Sequence, residues 1–192
     1  MWEELIRSFI TLFIIIDPFM SAAFLLGYSK DMNKKQKNDA ILIAIGVAAA
    51  LLFIFLFSGL YLLNVLGISF SGFKIAGGLI LLIMGVTTVL AIDFTSKSEK
   101  LSSAAILIGT PLLSGPGALT TIIILSKDYG ILIPGIAAAL VLFVSYLILH
   151  FSNYIQKYLG IEIIEILSKV LGLLLAALAV DFIHAGILGF VG

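Results

Sequence analysis

The chain has 192 residues, of which 61% are hydrophobic and only 11% charged, with a formal net charge of zero and no cysteine. An average soluble domain carries roughly 25% charged residues, and a water-soluble fold of this length could not hide so much apolar surface. The balance points to an integral membrane protein. Zero net charge offers no basic surface for nucleic acid, and the lack of cysteine removes disulfides, thiol redox chemistry and cysteine–metal sites.

About 20 mostly apolar residues cross a hydrocarbon core about 30 Å thick, and on that measure six spans are expected. The chain opens with Trp2-Glu3-Glu4, acidic where a cleaved secretion signal is basic, and no small-residue cleavage site follows. The first span, Leu5–Tyr28, is therefore read as permanent. It is interrupted at Asp17-Pro18. Proline removes a backbone N–H and clashes with the carbonyl four residues earlier, here Ile14. Asp followed by Pro is also a helix-start pair, an N-cap and then the first helical position. Two half-helices with a break near the midplane are predicted.

Spans two and three follow at Ala40–Leu66 and Lys74–Ile92. The fourth, Ser103–Ser126, is interrupted more heavily, by Thr110-Pro111 and then Ser114-Gly115-Pro116-Gly117. Lipid cannot satisfy the backbone groups freed by such breaks, so they must face protein or a wet cavity. Ile131–Phe151 and Val170–Val191 complete the set. Lysine gathers in alternate connections: Lys30, Lys34, Lys35 and Lys37 after span one, Lys97 and Lys100 after span three, Lys157 and Lys169 after span five. The other side has Arg7, Lys74 and Lys127. Lysine-rich loops face the cytoplasm, which puts both termini outside a cytoplasmic membrane.

The halves 1–95 and 96–192 resemble each other at an offset of 93 residues. Asp17-Pro18 falls against Thr110-Pro111, Ser21 against Ser114, and Tyr61–Ile68 against Tyr154–Ile161; after a two-residue slip, Lys74 and Gly77 meet Lys169 and Gly172. Three spans per half force the second half to enter the bilayer upside down. Inverted repeats of this kind occur in secondary transporters, whose sites lie where the halves meet, at broken helices.

The runs Phe13–Phe24 and Thr110–Thr121, with Ile75-Ala76-Gly77-Gly78 and Gly172–Ala176, resemble the MarC family, which includes SnatA-type small neutral amino acid transporters, and the likeness covers essentially the whole chain. The resemblance implies six helices and transport of glycine-like or alanine-like substrates, and gives no expectation of drug export. One departure is Ala23, where relatives often carry a second proline in the first break; this leaves the first break less open than in relatives, with a different substrate preference to be expected.

Such a substrate suits the residues. Half-helix N-termini after Pro18 and Gly117 offer N–H groups and partial positive charge to a carboxylate. Asp17 and the freed carbonyls of Ile14, Leu107 and Leu112 can accept from an ammonium group. Ala22, Ala23, Ser114, Gly115 and Ala118 leave room for a small zwitterion. The candidate substrate site is thus Asp17, Pro18, Ser21, Thr110, Pro111, Ser114, Gly115, Pro116, Gly117, Thr120 and Thr121, one of the two threonines being expected to bond to its own helix. A charge at a span centre costs about 2.5–3.5 kcal/mol on insertion scales, so Asp17 is expected to bind the ammonium, carry a coupling proton or coordinate a cation such as Na⁺; its alternative role is a purely structural cap. No catalytic residue, metal ligand set or cofactor is expected. Asp181 and His184, three apart on the last span, are read as a structural pair rather than a proton relay. A membrane subunit without transport activity is the alternative function. A passive channel is a further one. An intramembrane enzyme would need converging acids, histidines or arginines, and the chain has one arginine, Arg7.

Overall fold

The computed structural model describes residues 1–29, 32–91 and 113–191. All regular structure among them is helical: α1 Trp2–Ile16, α2 Pro18–Tyr28, α3 Lys34–Val65, α4 Phe70–Val89, α5 Pro116–Tyr129, α6 Leu132–His150 and α7 Ser152–Val191. Five stretches, 2–27, 34–65, 70–89, 132–150 and 152–191, are long and apolar enough to cross a membrane. The first part of the expected fourth span, with Thr110, Pro111 and the carbonyls of Leu107 and Leu112, lies outside the described residues, as does the junction between the halves.

Local chemistry explains the helix ends. Asn33 and Gln36 form a reciprocal capping box at the start of α3, and Ser69 caps α4 through Gly72 N–H. Two helices start six or more residues earlier than hydropathy suggests. α3 begins at Lys34 rather than Ala40, and α7 covers Ser152–Lys169 before the expected Val170. The first extension is mostly Lys and Gln, and the second is rich in Glu, Lys, Leu and Ile, residues that permit helix whether or not lipid surrounds them. α7 is not straight: Gly160 has φ 80° and ψ 162°, a left-handed φ that side chains avoid, and it divides Ser152–Leu159 from Ile161–Val191.

Burial follows the logic of a bilayer solvent. Large apolar side chains such as Ile54, Phe57, Ile83, Phe143, Ile166 and Leu173 are more than half exposed. The interior is closed by smaller or tightly set groups. On α3 the buried stripe Ala44, Ala48, Leu52, Leu56 recurs every four residues and faces α5 and α6. α6 answers with Ala137, Ala138, Val141 and Leu142.

The most extensive helix pairing is between α4 and α7, and glycine makes it possible. A Cβ at Gly85 would stand 2.7 Å from the Gly172 carbonyl oxygen, and one at Gly186 would stand 2.8 Å from that of Ser71. The start of α4 therefore lies against the end of α7, and the two run antiparallel with backbones nearly touching. At one end of this pair Lys74 reaches across to Asp128 on α5, 3.8 Å away, with its ammonium 4.9 Å from the Phe70 ring centre.

Candidate functional site

Asp17 stands alone between α1 and α2 with φ 40° and ψ 73°. Left-handed backbone is strained for most residues but tolerated by Asp. One residue thus ends a helix and starts the next. Its N–H donates to the Phe13 carbonyl at 3.1 Å, closing α1. Its Oδ1 accepts from Met20 N–H at 3.0 Å, capping α2, and Pro18 takes the first helical position. Its carbonyl accepts from Ser21 N–H at 3.2 Å and from the buried Ser21 hydroxyl at 3.3 Å. The other carboxylate oxygen, Oδ2, accepts a short hydrogen bond from the Ser168 hydroxyl on α7.

Ser168 is the residue that sequence reasoning missed. It is buried, 151 positions from Asp17, and sits between Leu167 and Lys169 with no motif around it. Through it the interruption in the first span is tied to the last helix. Counting about 1.5 Å per residue, the 15 residues of α1 separate Trp2 from Asp17 by about 22 Å.

The second group gathers at the start of α5. Leu113, Ser114 and Gly115 are buried, Pro116 is exposed at the first helical position, and Gly117 and Ala118 are buried again. Gly115 acts as N-cap with extended backbone (φ −63°, ψ 172°) and supplies no side-chain cap. The first intrahelical bond here runs from Leu119 N–H to the Gly115 carbonyl at 3.1 Å. The two helix starts therefore differ. That of α2 is already served by the Asp17 carboxylate, whereas at that of α5 no side chain among the described residues caps the N–H groups of Gly117 and Ala118.

The two threonines also part company. Thr120 Oγ1 donates to the Pro116 carbonyl of its own helix at 2.8 Å, and its methyl group fills the space a side chain at Gly77 would need. Thr121 is fully buried with no hydrogen-bond partner among the described residues. Gly117 packs on Leu81 and Met84 of α4. The first group, Asp17, Pro18 and Ser21, is thus bonded within itself and to α7, while Gly117 and Thr120 sit against α4. Asp181 and His184 are both exposed on α7, with no hydrogen bond or ion pair among the described residues. Likewise among those residues, no group of three or more acidic or histidine side chains could hold a metal ion.

Comparison with known proteins places this architecture. Similar chains include a UPF0056 membrane protein of Methanocaldococcus jannaschii, 32% identical over 197 residues that cover 96% of this chain and 86% of that one. Another, from Archaeoglobus fulgidus, is 32% identical over 192 residues, covering 94% and 90%. A third, from Aquifex aeolicus, is 26% identical over 195 residues, covering 95% and 91%. No solved structure matches the chain. The family description "MarC family integral membrane protein" matches residues 2–191, and with several apolar helices of membrane-crossing length the chain belongs to that family.

Proposed function

We propose that this protein is a secondary transporter of small neutral amino acids, glycine-like or alanine-like, across the cytoplasmic membrane. The observation that carries the reading is Asp17, a carboxylate inside an apolar segment, at a left-handed break, held by Met20 N–H and the Ser168 hydroxyl. A structural cap needs only the first of these bonds; the second aims the carboxylate at another helix. The substrate ammonium group binds at Asp17, and its carboxylate binds the uncapped N–H groups of Gly117 and Ala118 at the start of α5. Ser114, Gly115 and Thr121 complete the wall, and their small volume limits the substrate side chain. On this reading uptake is coupled to a proton or Na⁺ gradient.

The reading includes an inverted repeat in which spans one and four are both interrupted by proline, as in other secondary transporters. Gly67 and Gly160, equivalent at the 93-residue offset, both have positive φ, 66° and 80°. α4 and α7, the third helices of the proposed halves 1–95 and 96–192, run antiparallel as inversion requires. On this reading the lysine-rich loops are cytoplasmic and both termini lie outside.

The test is uptake of labelled glycine and alanine into sealed proteoliposomes under an imposed proton or Na⁺ gradient. Concentrative, saturable uptake that is abolished by Asp17→Ala, with expression unchanged, is the expected result. Wild-type uptake in that variant removes Asp17 from the mechanism, and no flux of any common neutral amino acid in the wild type overturns the transporter reading.

A further inference from the structure

A second polar feature lies away from Asp17, where the end of α2, the start of α3 and the α6–α7 junction come together. A cavity of about 360 Å³ opens there, lined by Lys34, Lys37, His150, Ser29, Asn38 and Asn153 among others. That volume is in the range of about 300–1,000 Å³ found for small-ligand sites. None of the described lining residues is acidic.

Lys37 is the unusual member. It is only 8% exposed. Its ammonium donates to Asn153 Oδ1 at 2.6 Å, and no carboxylate among the described residues pairs with it. An ammonium group has three donors, so one neutral amide leaves it under-used, and a buried charge without a counter-charge is costly. Lys34 and His150 stand beside it on exposed positions. The first turns of α3 and α7 line the cavity together with the C-terminal ends of α2 and α6, so the helix dipoles offset one another and the positive charge there comes from the side chains. Phe151 and Tyr154 form the rim, 46% and 62% exposed, as aromatic residues do at a membrane–water interface. Basic pockets between membrane helices on the lysine-rich side take anionic head groups.

We propose that this cavity binds a phosphate-bearing anion, a lipid head group or a soluble phosphate, between Lys37, Lys34 and His150. The site is independent of the amino acid site and does not rest on transport. The experiment measures the unfolding temperature of the full chain in neutral detergent against increasing dioleoylphosphatidylglycerol, dioleoylphosphatidylcholine or inorganic phosphate. The expected result is a saturable rise with an anionic probe and none with phosphatidylcholine. A response to phosphatidylglycerol alone assigns the site to lipid; a response to inorganic phosphate assigns it to the phosphate group itself. Lys34→Gln should raise the half-saturating concentration about fivefold, the worth of one cation at such a surface. Lys34→Gln with His150→Gln should raise it further, while Lys157→Gln leaves it unchanged. His150→Gln alone gives a second reading if the double variant does not fold. Absence of a saturable response to both anionic probes, or equal half-saturation in Lys34→Gln and wild type, overturns the proposal.

Discussion

Asp17 has three connections that substitutions can separate. Asn caps helices about as well as Asp, so Asp17→Asn should fold normally and keep the Met20 bond while losing the charge. Uptake in proteoliposomes is expected to be lost in Asp17→Asn as in Asp17→Ala, and retained uptake would reduce the residue to a cap. Ser168→Ala removes the donor to Oδ2, and hydrogen bonds to charged groups are worth about 1.5–3 kcal/mol. That variant should unfold at a lower temperature and require more substrate for half-maximal uptake; unchanged values in both measurements would make the contact incidental. The Asp17-Pro18 pair was legible in the sequence because capping is local, set by two adjacent residues and the turn that follows. Ser168 was not, because its role is fixed only when a helix 151 positions away packs against the break. Thr121 and Thr120 could not be told apart for the same reason: one turn of helix decides which hydroxyl reaches Pro116 and which points into the interior.

At the level of elements, glycines that look alike in sequence do different work. Gly78, Gly85, Gly172 and Gly186 each face backbone of the opposing helix within about 3 Å of where a Cβ would stand, whereas nothing lies within 4 Å of the corresponding point at Gly46. Overpacking where backbone cannot yield costs about 1–3 kcal/mol, and replacing an unhindered helical glycine by alanine gains up to about 1 kcal/mol. Gly85→Ala should therefore lower the unfolding temperature and Gly46→Ala should hold or raise it; the reverse order would contradict the close α4–α7 contact. The apolar stretches themselves were readable because burial in lipid needs little more than length and hydropathy. Their ends were not, because hydropathy marks where lipid begins rather than where hydrogen bonding stops. Lys34–Asp39 and Ser152–Lys169 are helical beyond the limits of the apolar runs.

For the molecule as a whole, the order of paired motifs in 1–95 and 96–192 suggested inversion, and it has a measurable consequence. The chain has no cysteine, so single cysteines report sidedness without background. In intact cells, a membrane-impermeant thiol reagent should label Lys127→Cys and Asn64→Cys from outside and reach Lys35→Cys and Lys157→Cys only after permeabilisation. Labelling of all four from one side would rule out opposed halves.

The glycine contacts between α4 and α7 carry one more implication. Where two backbones meet with no layer of side chains between them, neither helix can turn or press closer without backbone collision, which favours the pair moving as one unit. On the proposed transport reading, a change of shape that exposes a bound solute first to one compartment and then to the other would involve the helices outside that pair, α1, α2, α3, α5 and α6. Asp17, which bonds to α7 through Ser168 while linking α1 to α2, is the point at which that pair is joined to the first span.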